Sequence, residues 1–249
     1  MRHARALWRL LRLIGHGAAG LWTIRTRFAG WAPRQREQAV QAWAARVLEL
    51  CGIGLQVSGE PMAAGPVLLV ANHISWLDIV VMHAAGYCRF VSKADVAHWP
   101  LIGSLATGAG TLYIERASRR DAMRVVHHMR DRLVAGDVVA IFPEGTTGDG
   151  RALLPFHANL VQAAISADVP VQPLALRFAD AETGATSFAP SFVGDETLVG
   201  SVWRTLAAEG LVAQVRYGVP QYHEGRDRRA WAQALHADVA QLRHELGHH

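Results

Sequence analysis

Lysine occurs once, at Lys93, and cysteine twice, at Cys51 and Cys88. Two cysteines without a CxxC pair or metal-ligand spacing exclude a disulfide framework and read as small hydrophobes in a reducing compartment. In the first 30 residues the longest uncharged run, Leu13 to Ile24, falls short of the 18 or so residues that a spanning helix needs. Arginines also interrupt any short signal-peptide core there. The sequence has no GxSxG elbow, so an α/β-hydrolase serine is excluded. It has no glycine spacing of the dinucleotide type. Excess positive charge is lacking outside the N-terminus: residues 1–60 carry a balance of +6 and the remainder −2. That asymmetry argues against a nucleic-acid-binding module, which needs basic residues spread over the fold. It points instead to an anionic surface met by one end of the chain.

What is present is a chain of 249 residues, 51% hydrophobic, in which apolar runs lead repeatedly into polar loops. Val67–Val70 is a short apolar run that reads as a buried strand, and it ends at Asn72-His73. A helical pattern starts at Ser75, so His73 stands where a strand ends and a helix begins. In an open α/β sheet this is where ligands meet the protein. Asp78 follows five residues later, near enough for its carboxylate to orient the imidazole. Ser75 and Asp78 also have the spacing of a capping box, which would account for both without any chemistry. The same strand-to-loop transition recurs at Ile114/Arg116 and at Phe142/Glu144, and several such ends converge more readily on one site than on separate turns.

The segment NHISWLD (Asn72–Asp78) resembles the first block, N-H-x-x-x-x-D, of the glycerolipid acyltransferases, the family of the bacterial 1-acylglycerol-3-phosphate acyltransferases. GTLYIER (Gly110–Arg116), FPEGTT (Phe142–Thr147) and VPVQPLAL (Val169–Leu176) resemble its next three blocks, in order, and the resemblance runs over roughly residues 50–215. It implies an acyltransferase that moves a fatty acyl group from acyl-CoA or acyl carrier protein to the free hydroxyl of a lysophospholipid, with no cofactor, no metal and no acyl-enzyme. His73 would be the base and Asp78 its support. Arg116, Glu144, Gly145, Thr146, Thr147 and the weaker candidate Lys93 would bind substrate, Glu144 by holding acceptor hydroxyls or pairing with Arg116. Backbone N–H groups around Gly145 would receive the oxyanion. The acceptor implied most directly is 1-acylglycerol-3-phosphate, giving phosphatidate. One departure matters: the phosphatidate-forming members have arginine where this chain has Thr147. A subgroup acylating lyso-ornithine lipid, a zwitterion without phosphate, is therefore the alternative.

The expected fold is a single α/β domain with a mostly parallel or mixed central sheet flanked by helices, glycerolphosphate-acyltransferase-like, over residues 51–249. A membrane-interface region of amphipathic helices, residues 1–50, precedes it. There Leu7, Leu10, Leu11 and Ile14 would enter the headgroup region, while Arg5, Arg9 and Arg12 meet lipid phosphates. The expected location is the cytoplasmic face of the inner membrane, peripheral or monotopic. A non-catalytic membrane scaffold would keep these helices without needing His73, Asp78 and Glu144 together. Further expectations are a helix over 121–135 with Met123, Val126, Met129 and Leu133 inside, and a helix over 156–167. Pro173 marks an edge, a bulge or a break in its strand. The small residues 101–110 leave room for an acyl chain or make a tight helix contact. The terminal His244-Glu245-Leu246-Gly247-His248 matches HExxH formally but reads as a solvated tail.

Overall fold

The computed structural model describes residues 2–62, 64–114 and 119–247. Helices α1 (Arg2–Arg27) and α2 (Pro33–Cys51) lead into β1 (Ile53–Ser58), β2 (Val67–Ala71), α3 (Leu77–Ala85), β3 (Arg89–Lys93), α4 (Ile102–Gly108), β4 (Leu112–Ile114) and α5 (Arg119–Val134). Then come β5 (Val138–Ile141), α6 (Gln162–Ala167), β6 (Val171–Asp180), α7 (Leu198–Ala207), β7 (Leu211–Tyr217) and α8 (Arg228–Leu246). The strands form one sheet in the order β1-β7-β6-β2-β5-β3-β4. Every neighbouring pair is parallel except β6 with β7, so the sheet is mixed.

β2 is central because all five of its residues are apolar and can be buried on both faces. Its side chains alternate between two cores: Val67, Leu69 and Ala71 join α2 and α3, whereas Leu68 and Val70 join α5 and α8. β2, β5, β3 and β4 run in the same direction, so the polar loops after β2 and β5 and the end of β3 open at one edge of the sheet. α1 and α2 pack into the first of the two cores through Ala6, Ala44, Val47, Leu48 and Cys51.

One expectation is narrowed and three change. Pro173 lies in β6, an interior strand, paired with Val70, and a bulge adjoins it on the other side, as one of its expected readings had it: Gly218 is opposite Pro173 but Gln221 is opposite Val171. The missing N–H of Pro173 would have faced the Gly218 carbonyl. Gln172 Nε2 donates to that carbonyl instead (2.8 Å), while Gly218 N–H still reaches Pro173 O (2.8 Å). A side chain thus replaces the lost ladder bond, which lets an inner strand tolerate proline. The helix expected from residue 156 begins only at Gln162, because His157 N–H donates to Pro143 O and Leu154 N–H to Glu144, tying this segment to the loop after β5. In α5, Met123 is 62% exposed, and Val125, Met129 and Leu133 form the buried stripe at i, i+4, i+8.

The third change concerns α1. Its arginines were expected on lipid, but Arg2 donates to Ala207 O, Arg9 to Leu206 O and Ala208 O, and Arg5 pairs with Glu209. These are the unsatisfied carbonyls at the C-terminus of α7, where cations are favoured. The apolar positions divide as well. Leu10 and Leu13 pack on the core, whereas Leu7, Trp8, Leu11, Ile14 and Trp22 are each at least half exposed. Positions 7, 11, 14, 18 and 22 advance by three or four residues, so they form one stripe along the outer side of α1. No described helix is long and apolar enough to cross a membrane. The small residues of 101–110 serve a tight contact: a Cβ on Gly108 would sit 2.5 Å from Ile24, and one on Gly20 would meet both Trp43 and Leu105.

Candidate active site

The site is assembled where β2 ends. Asn72, buried, exchanges both amide hydrogen bonds with the Leu176 backbone (3.0 and 2.7 Å), fixing the exit of β2 against β6. His73 follows, and its backbone is gripped from two sides: its N–H donates to Glu144 Oε1 (2.6 Å), and its carbonyl accepts from Gly148 N–H (2.8 Å). The loop after β5 therefore sets the position of the loop after β2. The His73 ring lies on the Phe142 ring with centroids 4.0 Å apart and planes 7° apart. Phe142 stacks in turn on Phe90 of β3.

His73 Nδ1 is 2.8 Å from Asp78 Oδ2. The same oxygen accepts the N–H groups of Ile74 (2.6 Å) and Ser75 (2.8 Å), while Ser75 Oγ accepts from Leu77 N–H (3.1 Å). The capping contacts and the imidazole contact thus coexist, since one carboxylate oxygen starts α3 and orients the histidine. A carboxylate only accepts, so Nδ1 carries a proton, and in the neutral imidazole the lone pair is on Nε2. The Asp78 side chain is fully buried and His73's is 17% exposed, so His73 alone of the pair can touch a substrate.

Glu144 is 5% exposed, and its other oxygen accepts Leu154 N–H (2.8 Å). Burial pushes its carboxyl above the usual range; the two N–H bonds and the positive charge of Arg243 pull the other way. The sequence-based reading had Glu144 reaching acceptor hydroxyls or Arg116. Each of its oxygens accepts one backbone N–H, from His73 and from Leu154. Gly145 has φ = 73°, a left-handed turn position that favours glycine, and its N–H donates to Phe142 O (3.1 Å). The amides of Thr146 and Thr147 have no acceptor among the described residues. The Thr147 hydroxyl, expected to face the acceptor, donates to Phe192 O, and Phe192 N–H donates to Ile74 O (3.1 Å). Thr146 is exposed, and Lys93 is exposed at the end of β3, two strands from His73. Arg116 lies outside the described residues. So does His248 of the HExxH match; Glu245 of that match pairs with Arg216 (2.6 Å).

Sequence reasoning missed Phe142, Leu154 and Phe192. Phe142 was within reach, as an aromatic residue at the mouth of a strand beside a candidate base. The other two act through backbone groups, which no residue type announces.

Against known proteins, a family model described as Acyltransferase matches residues 54–177. A lyso-ornithine lipid O-acyltransferase of Pseudomonas aeruginosa is 36% identical over 234 residues, covering 92% of this chain and 89% of that one. A 1-acyl-sn-glycerol-3-phosphate acyltransferase of Neisseria gonorrhoeae is 39% identical over 204 residues, 81% of this chain and 79% of that one. The crystal structure of the 1-acyl-sn-glycerophosphate (LPA) acyltransferase PlsC from Thermotoga maritima superposes with a TM-score of 0.74 at 17% identity, over 100% of this chain and 99% of that one, and so shares the fold.

Proposed function

The chain belongs to the glycerolipid acyltransferase family, and from that premise we propose that His73 and Asp78 carry a direct acyl transfer. The protein is an acyltransferase that moves an acyl group from acyl-CoA or acyl carrier protein to a lysophospholipid. The acceptor hydroxyl gives its proton to His73 Nε2 as its oxygen attacks the thioester carbonyl. Asp78 stabilises the imidazolium that forms. The tetrahedral oxyanion collapses, the C–S bond breaks, and the departing thiolate takes the proton back from His73. The amides of Thr146 and Thr147 are the donors we assign to the oxyanion, since Gly145 and Gly148 already spend theirs on Phe142 and His73. One observation carries this reading: a buried carboxylate 2.8 Å from the Nδ1 of a reachable imidazole. Its test is acyl transfer from a labelled thioester to a lysolipid by the purified protein; absence of transfer to every lysolipid offered would refute it.

Glu144 is then a positioning residue. Glu144→Ala would leave the His73 and Leu154 N–H groups without acceptors, each costing about 1–3 kcal/mol if it stays buried. The expected outcome is a lower Tm and a kcat reduced through a displaced His73, with the acceptor KM nearly constant. A raised acceptor KM with kcat intact would return Glu144 to acceptor binding.

For the membrane we propose a monotopic seat on the cytoplasmic face of the inner membrane. The exposed apolar stripe of α1 provides the contact, within the region 1–50. Burying a Leu or Ile side chain contributes roughly 1.5–3 kcal/mol. Leu11→Asp with Ile14→Asp should therefore weaken vesicle binding about tenfold or more, measured by co-sedimentation. Arg2, Arg5 and Arg9 are engaged by the protein, so high salt should release less of it than these two substitutions do. Release by salt alone to the same extent would assign the contact to charge.

A second acceptor reading is favoured by Thr147. With its hydroxyl given to Phe192 and no guanidinium at that position, a zwitterionic lysolipid of the lyso-ornithine kind suits the cleft better than a phosphomonoester.

A further inference from the structure

A cavity of about 300 Å³ lies between the outer end of β6, the last turns of α8 and the loop at 150–151, with Ile74, next to His73, in its wall. Three arginines line it: Arg151, Arg177 and Arg243. Arg177 donates only to neutral acceptors: Thr186 Oγ1 (3.1 Å), Gln214 Oε1 (3.0 Å), Leu246 O (2.6 Å) and Gly184 O (2.7 Å). Among the described residues the half-buried Arg243 makes one bond, to Gly150 O (2.6 Å). Among the described residues no carboxylate oxygen lies within 4 Å of either guanidinium, and the oxygens of Glu144 are held by backbone N–H groups. Arg151, on the rim, lies over the Phe188 ring at 4.6 Å with Asp149 a loose 3.6 Å away. Burial lowers the pKa of both Arg177 and Arg243, yet a guanidinium cannot lose its proton in a protein. Arg243 feels the carboxylates of Glu144 and Asp149 only from beyond ion-pair distance, and neither guanidinium touches a carboxylate among the described residues, so two partly desolvated charges in one cavity leave a place for an anion.

We propose that this cavity binds a phosphate ester. The planar forks of Arg243 and Arg151 suit the oxygens of a tetrahedral anion, and Ser187 adds a hydroxyl at the wall. In acyl transfer two reactants can bring that group: the phosphates of the coenzyme A or phosphopantetheine donor, or a phosphate head on the acceptor. Choosing between them rests on the function proposed above; the binding itself does not.

The experiment measures equilibrium binding of inorganic phosphate, coenzyme A and glycerol 3-phosphate to the full chain without turnover, then steady-state KM for both substrates. The wild type is compared with Arg243→Gln and with Arg151→Gln. The latter is at an exposed side chain and keeps the test open should Arg243→Gln fail to fold. We expect phosphate binding to weaken at least tenfold in both variants. A matching loss for coenzyme A with a raised donor KM assigns the cavity to the donor. A matching loss for glycerol 3-phosphate with a raised acceptor KM assigns it to the acceptor head. Arginine-dependent phosphate binding in a protein that transfers no acyl group would keep the cavity and refute the function. If the wild type binds none of the three, or the variants bind all three as tightly as it does, the proposal falls.

Discussion

Replacing Asp78 with Asn is expected to lower kcat for acyl transfer by about 10² or more while the protein stays folded. The geometry makes this an unusually clean separation of charge from shape. A single oxygen, Oδ2, takes the bonds from His73 Nδ1, Ile74 N–H and Ser75 N–H, and Oδ1 is buried without a partner among the described residues. An asparagine oxygen in the Oδ2 position can accept all three, so α3 keeps its start and His73 its tautomer. What is lost is the negative charge that stabilises the imidazolium in the transition state. The amide NH₂ would occupy the Oδ1 place with no acceptor, costing about 1–3 kcal/mol. For a protein of this size that is roughly 2–4 °C in Tm per kcal/mol, which a melting curve reads directly. His73→Ala removes the base itself and should cost at least as much in rate. Because the two act as one unit, the double variant should be little slower than His73→Ala alone. Near-normal rates in both single variants would reduce Asp78 to a helix cap and end the assignment.

How legible this site was depended on whether its bonds are local. His73 and Asp78 are five residues apart across one turn, and spacing alone brought them together. The central strand was equally plain, since five consecutive apolar residues have few other fates. The backbone partners of Glu144, the N–H groups of residues 73 and 154, were not legible, because nothing in the residue types near it signals them. The arginines of α1 were misread for a related reason. An amphipathic basic helix looks the same whether its cations face phosphates or helix-end carbonyls, and these carbonyls lie some two hundred residues away. Pro173 signalled an irregularity, and a bulge does adjoin it, but its place in an interior strand was hidden because the neighbouring Gln172 side chain supplies the missing donor.

The acceptor is the remaining quantity with a large expected effect. Lysophosphatidate carries a dianionic head, and each charge-assisted hydrogen bond to such a head contributes on the order of 1.5–3 kcal/mol. This chain has no arginine at position 147, and the threonine there gives its hydroxyl to Phe192 O, so the contact is absent rather than weakened. One lost charged contact corresponds to roughly 10- to 150-fold in kcat/KM, unless another cation reaches the head. Lys93, exposed at the end of β3, and Arg151, on the rim of the cavity that Ile74 lines, are described cations that bear on that question. The expected result, with one acyl thioester and both acceptors offered to the purified protein, is measurable but poor use of lysophosphatidate and better use of a zwitterionic lysolipid. Thr147→Arg should move the ratio toward lysophosphatidate by about tenfold or more, despite losing the bond to Phe192, because a bidentate guanidinium outweighs one neutral hydrogen bond. Lys93→Gln, in the same assay, should lower lysophosphatidate use further if that ammonium compensates, and leave the zwitterion unaffected. A wild-type ratio favouring lysophosphatidate by more than about tenfold would overturn the acceptor preference and make phosphatidate the product.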